Sequence, residues 1–247
     1  MELIIILLTT FISSLLSSMS GGGTNIINFP VFLSLGIPVP FALAISSVNS
    51  VFWVLPASRN YLRGRQIDWK FLILFSLIGL IGVYFSIKLI LGFDQRIFEI
   101  IMGSLIVFLV SFTYFKGELG LIEHRIYSKT RQIFAYPFAL LLGFYENAFN
   151  VGNAISFSLV SFYTKGFDFI DALGHYYAIS FAWVLLGSAL LIKAGFYDLR
   201  IMPVAIVGSV AGAYIGSKYA RYKGNKFVKI AFCAIGGVLG LKLLLGI

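Results

Sequence analysis

The sequence predicts an all-α polytopic membrane protein made of two inverted repeats, each a broken, re-entrant helical segment followed by three transmembrane helices. Three observations carry this expectation. Hydrophobic residues make up 59% of the 247-residue chain and charged residues 12%, where a soluble domain carries about 25% charged. The apolar residues lie in long runs, not in the alternating segments of roughly ten residues that mark an outer-membrane barrel. Two of those runs are interrupted at their centres by glycine and asparagine, and the halves that contain them match at a shift of 130 residues.

The first broken segment is 3–35: an apolar run from Leu3 to Met19 meets Ser20-Gly21-Gly22-Gly23-Thr24-Asn25 and turns apolar again through Leu35. Full spans follow at about 41–58, 71–92 and 97–115, each near the ~20 residues that cross the hydrocarbon core. A polar stretch, Lys116 to Arg131, divides the chain. The second broken segment is 133–164, where Phe134–Phe149 meets Asn150-Val151-Gly152-Asn153 and a short apolar run to Tyr163. Spans near 171–193, 201–219 and 227–246 complete the chain. The arms 24–35 and 154–164 are too short to cross alone at about 1.5 Å per residue. The expected organisation is one integral-membrane domain, with a first repeat over 1–115, a cytoplasmic connecting loop over 116–131 and a second repeat over 132–247. Met1-Glu2 offers an acid and no Lys or Arg, so the first segment reads as mature chain and not as a signal peptide.

The 130-residue shift aligns Trp53-Val54-Leu55 with Trp183-Val184-Leu185, Asp68 with Asp198, Gly82 with Gly212, Tyr84 with Tyr214 and Lys88 with Lys218. Rare residues in one register mark an internal repeat. The positive-inside rule sets the relative orientation of the halves. If each broken segment leaves on the side where it entered, loops 59–70, 116–131, 165–171 and 218–229 share a side with fourteen Lys and Arg, against four in loops 88–96 and 193–200. Parallel halves would split them ten against eight. The expectation is therefore inverted repeats in the cell (inner) membrane, with basic loops cytoplasmic and both termini outside. Topology also accounts for the net charge of +9, which does not point to nucleic acid.

A Gly-rich break early in the first half, Ser20-Gly21-Gly22-Gly23 followed by Pro30 and Gly36, resembles the Gly-rich stretch leading to a Pro in the TauE/SafE family of anion exporters. The small-residue-rich second span, the duplication and the length near 250 are similar too. In the second half the corresponding run reads Asn150-Val151-Gly152-Asn153, and no Pro follows. The resemblance implies a transporter of sulfite, organosulfonates or related sulfur-containing anions, acting as an exporter or, in some relatives, as an uptake permease.

The residues supply their own argument for an anion site. Non-helical backbone at membrane depth is tolerated only where it is buried in protein or lines a polar cavity, and paired interruptions in two halves point to a transporter's binding site. A helix restarting after a break presents unpaired N–H groups and its positive dipole end to whatever lies before it. Candidate substrate-binding residues are Gly21, Gly22, Gly23, Thr24 and Asn25 at one break, and Asn150, Gly152 and Asn153 at the other. Ser46, Ser47, Asn49 and Ser50 on the second span of the first half, and His175, Tyr176, Tyr177 and Ser180 on that of the second, would wall the site. The alternative for His175 is a bond to a neighbouring backbone carbonyl at the span's end; the alternative for the glycines and serines is helix packing.

Glu146 is the acid set deepest in an apolar segment, and an intramembrane ionisable group is a functional candidate by default. A carboxylate beside an anion site repels substrate unless protonated, so Glu146 is expected to couple or gate, with a proton or a sodium ion as the coupling partner, or to pair with a basic side chain and brace the break. Asp68 and Asp198 are expected to cap helices. Two histidines, one cysteine, no HExxH motif and no P-loop argue against a membrane-embedded enzyme, a cofactor, a metal site and an ATP-driven pump. A passive anion channel is the nearer alternative to a carrier that works by alternating access.

Overall fold

The computed structural model describes residues 1–21, 23–89, 95–115, 119–124, 128–149 and 152–246. Every element described in it is a helix. They are α1 (Glu2–Ser20), α2 (Asn25–Ser34), α3 (Val39–Leu62), α4 (Trp69–Leu89), α5 (Gln95–Phe115), α6 (Lys129–Ile133), α7 (Ala135–Phe149), α8 (Asn153–Thr164), α9 (Phe169–Lys193), α10 (Met202–Lys223) and α11 (Asn225–Leu245). Both expected breaks are present, between α1 and α2 and between α7 and α8. By length and composition, α1, α3, α9 and residues Trp69–Ser86 of α4 are each able to cross a membrane unaided.

Local chemistry sets the helix ends. Gly21 closes α1 in the left-handed region (φ 75°), where its N–H reaches Ser17 O at 2.7 Å, a conformation open to glycine at little cost. The chain enters α3 through Pro38, with a proline also in its first turn, where a missing N–H costs nothing. Asp68 accepts from Phe71 N at 3.0 Å ahead of α4, and Asp198 accepts from Ile201 N at 3.1 Å ahead of α10. Asp68 therefore caps α4 as expected, whereas Asp198 holds the turn 199–201 that leads into α10, whose own N-cap is Ile201 without a side-chain bond. Asp168 caps α9 through Asp171 N at 2.8 Å.

The helices of the two halves interleave. α1 packs along α10, α4 against α7, α5 against α11, and α3 against both α9 and α10. Ser58, near the end of α3, donates to Gly174 O near the start of α9 at 3.0 Å, so these two central helices run antiparallel. At one end of the bundle the loops 63–68, 119–124 and 165–168 and the turn at 224–225 meet. Arg65 bonds Asp168, His124 N bonds Gly166 O, and Asn225 bonds both Asp168 and Leu121 O. At the other end Ile6, Ile37, Ile201 and Met202 share an apolar cluster, with Phe41 edge-on to Phe196.

Glycines make the interleaving possible. A Cβ on Gly212 would lie 2.1 Å from Phe11 O of α1, and one on its counterpart Gly82 would lie 2.1 Å from Leu140 O of α7. Along α10, Gly208, Gly212 and Gly216 all approach α1 this way, which is the small-residue packing of membrane helices. Gly212→Ala is expected to destabilise the detergent-solubilised protein by about 1–3 kcal/mol, the usual cost of overpacking. Gly237→Ala, whose Cβ would meet only Val110 at 3.8 Å, is expected to leave the melting temperature unchanged. Melting curves of the two variants measured side by side check this.

Candidate substrate site

Ser50 and Ser180 stand at the midpoints of α3 and α9, and the two residues are counterparts under the 130-residue shift. Both line a cavity at mid-depth, together with Ser17 and Gly21 from the end of α1, Gly23 between α1 and α2, Trp53 and Val54 of α3, Glu146 of α7, Asn153 at the start of α8, and Tyr176 and Tyr177 of α9. Gly23 and Asn153 are also counterparts. The breaks touch: a Cβ on Gly21 would lie 2.7 Å from Ala154 Cβ. The cavity has room for about one water molecule, so a larger ligand requires the surrounding helices to part.

Glu146 is 2% exposed, and its partners are neutral. Tyr176 Oη donates to Oε2 and Ser180 Oγ donates to Oε1, each at 2.5 Å, and Asn153 Nδ2 donates to Oε2. Among the described residues no Lys, Arg or His comes within ion-pair distance of it, so bracing by a basic side chain is not the arrangement found. Three donors from α8 and α9 converge on one carboxylate. A buried charge without a counter-ion is costly, and donors of this kind are the groups an oxyanion needs when it leaves water.

The end of α1 is held rigidly. Tyr177 Oη donates to Ser17 O at 2.8 Å, beside the bond from Gly21 N–H, and Tyr61 Oη donates to Ser18 O at 2.7 Å, among the carbonyls at the helix C-terminus. The cavity thus meets the C-terminus of α1 as well as the N-terminus of α8, whose N-cap Gly152 has φ 71°. The sequence pointed only to helix N-termini here.

Of the residues singled out in the sequence, Gly21, Gly23, Ser50, Glu146, Asn153, Tyr176, Tyr177 and Ser180 line the cavity, and Gly152 sits immediately before Asn153. Thr24, Asn25, Ser46 and Asn49 are buried but lie off its wall. Gly22 and Asn150 fall outside the described residues. His175 is elsewhere: its Nε2 accepts from Asp68 N at 3.1 Å, its Nδ1 lies 2.8 Å from Asp171 O, and its ring stacks on Phe167. The accepting Nε2 makes it the Nδ1–H tautomer, a satisfied histidine at the span's end.

That region ties the loops of both halves together with ion pairs. Arg65 contacts Asp168 at 2.9 Å and Asp171 at 3.3 Å, and Lys165 contacts Asp68 at 2.5 Å. Burial pushes the Asp68 carboxyl upward, but the hydrogen bonds from Lys165 and Phe71 N–H and the Lys165 charge outweigh it and hold the group below its ordinary range. Asp68 is therefore ionised at neutral pH and its pair with Lys165 is made. Ser17, Trp53 and Val54 also line the cavity and were not singled out for its wall. For Trp53 and Val54 a signal was present, since the pair repeats as Trp183-Val184.

The sequence profile of the family described as "Sulfite exporter TauE/SafE" matches residues 6–243. The chain is similar to a probable membrane transporter protein of Haemophilus influenzae, with 28% identity over 226 residues, covering 89% of this chain and 85% of that protein. It is 24% identical over 235 residues to the probable membrane transporter protein ORF9 of a Sinorhizobium species, covering 95% and 89%. It is 22% identical over 248 residues to the probable membrane transporter protein YfcA of Escherichia coli K12, covering 97% and 88%. No solved structure matches the chain.

Proposed function

The chain belongs to the TauE/SafE family of multi-pass membrane transporters, and from that premise we propose that it is a secondary transporter of a small sulfur-containing oxyanion, sulfite or an organosulfonate, working by alternating access in the direction of export. The observation that carries the proposal is the mid-depth cavity where the two helix breaks touch, with Glu146, Asn153, Tyr176 and Ser180 on its wall. The N-terminus of α8 and the hydroxyl and amide donors are the groups that bind the anion. Glu146 exchanges a proton as the anion comes and goes. Purified protein is expected to melt at higher temperature in the presence of sulfite, thiosulfate or a short organosulfonate, because a ligand that binds only the folded state stabilises it by mass action. No shift with any of these at millimolar concentration would reject the substrate class.

The same proposal includes inverted repeats, with the halves exchanging roles during transport. The antiparallel run of α3 and α9 supports this, as does the meeting of the basic loops at one end of the bundle. Loops 59–70 and 218–229 are then cytoplasmic and loop 193–200 faces outside. Single cysteines in a Cys233→Ser background check this by labelling from outside whole cells. Tyr197→Cys is expected to react and Lys223→Cys to stay protected; the opposite pattern would reject the topology.

A further inference from the structure

Buried polar atoms without a protein partner are concentrated on one side of the cavity. Among the described residues, Ser14 Oγ, Thr24 Oγ1, Asn28 Nδ2, Ser46 Oγ and both side-chain polar atoms of Asn49 lack one. All five residues belong to α1, to α3 or to the chain from Thr24 through α2; on the other side Ser76 Oγ of α4 and Asn153 Oδ1 of α8 also lack one. Ser14, Thr24, Asn28 and Asn49 are fully buried, and Ser46 nearly so. Orphaned polar atoms at membrane depth are costly and mark places where water or a ligand binds.

Helical register strings these residues into a column. Ser14 lies one turn before Ser17 on α1, and Ser46 lies one turn before Ser50 on α3; Ser17 and Ser50 both line the cavity. Ser13 donates to Asn28 Oδ1 at 2.7 Å, which joins α2 to the same column. Beyond it lies the apolar cluster of Ile6, Phe32 and Ile45 at the end of the bundle that holds the N-terminus. The counterpart positions in the second half are different. Thr24, Ser46 and Asn49 correspond to Ala154, Tyr176 and Ile179, and Ser158, the counterpart of Asn28, is satisfied by Ala154 O at 2.6 Å. On that side Phe71, Phe75 and Phe157 pack together against Tyr176. One side of the cavity is thus the richer in unsatisfied polar groups, and the other is mainly aromatic.

We infer that the column along α1, α2 and α3 is a hydrated lane through which the oxyanion passes between the cavity and the end of the bundle that holds the N-terminus, with Asn28, Asn49, Ser14, Ser46 and Thr24 replacing its water. Residues 1–58 contain no Lys or Arg, so the lane offers only neutral donors. Such groups bind an anion firmly enough to admit it and loosely enough to release it, as conduction requires. The inference rests on the anion site proposed above and extends it by direction.

The test uses full-length protein with Cys233→Ser and one added cysteine at Ser14 or Ser46, both near-isosteric changes, in variants that retain transport. The probe is 2-sulfonatoethyl methanethiosulfonate, itself a small organosulfonate, applied outside whole cells. Both cysteines are expected to react, and methanesulfonate in excess is expected to slow both reactions at least about fivefold. Ala44→Cys, buried in the neighbouring apolar cluster, is expected not to react. Unreactive Ser14→Cys or Ser46→Cys beside a reactive, protected Ser50→Cys would overturn the lane while leaving the cavity as the site. An unreactive or unprotected Ser50→Cys would overturn the site as well. Reaction of Ser46→Cys only from the cytoplasmic side, or of Ala44→Cys as fast as Ser46→Cys, would also overturn the lane.

Discussion

Glu146→Gln is expected to abolish the dependence of transport on a pH gradient while anion binding survives. In the parental protein the carboxyl shares a cavity with the proposed anion and takes hydrogen bonds from Asn153, Tyr176 and Ser180. The ionised group repels an anion and occupies its donors; protonation frees them. Anion affinity should therefore rise as pH falls, and with one proton per anion the equilibrium shifts by up to about tenfold per pH unit. Glutamine keeps the size and cannot titrate. It is also accommodated: the hydroxyls of Tyr176 and Ser180 can turn to accept, and Asn153 Oδ1, which lacks a partner, can accept from the new amide if Asn153 turns over. Binding by the variant should be nearly independent of pH between 5 and 8, and its flux in liposomes should ignore an imposed pH gradient. If Glu146 only braces the break, Gln should instead weaken stability and binding together and leave the pH dependence of the surviving protein intact. Flux against imposed gradients, with calorimetric binding at several pH values, separates the two. Normal pH-driven flux in the Gln variant would remove Glu146 from the mechanism.

Valine at either break glycine should bring transport below a tenth of the parental rate. Gly21 and Gly152 have φ of 75° and 71°, which a β-branched residue adopts only under strain. Their surroundings are also closed. A Cβ on Gly21 would meet Ala154 at 2.7 Å and Leu173 at 3.1 Å, and one on Gly152 would meet Ile106 at 2.7 Å. At Gly21 the added bulk falls where the two breaks meet, so it should obstruct the cavity as well as strain the chain; at Gly152 it falls against α5, next to the cavity residue Asn153. Gly36→Val is the control for strain alone. It has φ 79° and open space around it, so it should lower stability and leave most of the transport. Equal loss in Gly36→Val and Gly21→Val would show that strain, and not closure of the cavity, is responsible. Parental rates in both Gly21→Val and Gly152→Val would remove the breaks from the substrate pathway.

Much of the architecture is local in origin and was legible for that reason. Runs of apolar residues long enough to cross a bilayer define the spans, and glycine and asparagine within such runs define the breaks. The capping role of Asp68 was legible because the cap and the N–H it satisfies are three residues apart. The glycine contacts were half legible: Gly208-x-x-x-Gly212-x-x-x-Gly216 announces close packing on a neighbour, but nothing local says that the neighbour is the broken helix of the other half.

The cavity wall was different. Gly21, Gly23, Glu146 and Asn153 stand at the breaks, so their place followed from the chain itself. His175 and Tyr176 are adjacent on α9, yet Tyr176 reaches Glu146 while His175 turns to Asp68 and Phe167. Neighbours on a helix point about 100° apart, and in a helix apolar nearly all round no polar stripe indicates which direction is inward. The sequence by itself determined the membrane spans, the two breaks and the repeat that relates them, because each depends on residues close together in the chain. Only the tertiary structure decided which face of α3 and α9 meets the breaks, and so which serines and tyrosines surround Glu146. That rotation is set by the packing of helices far apart in sequence.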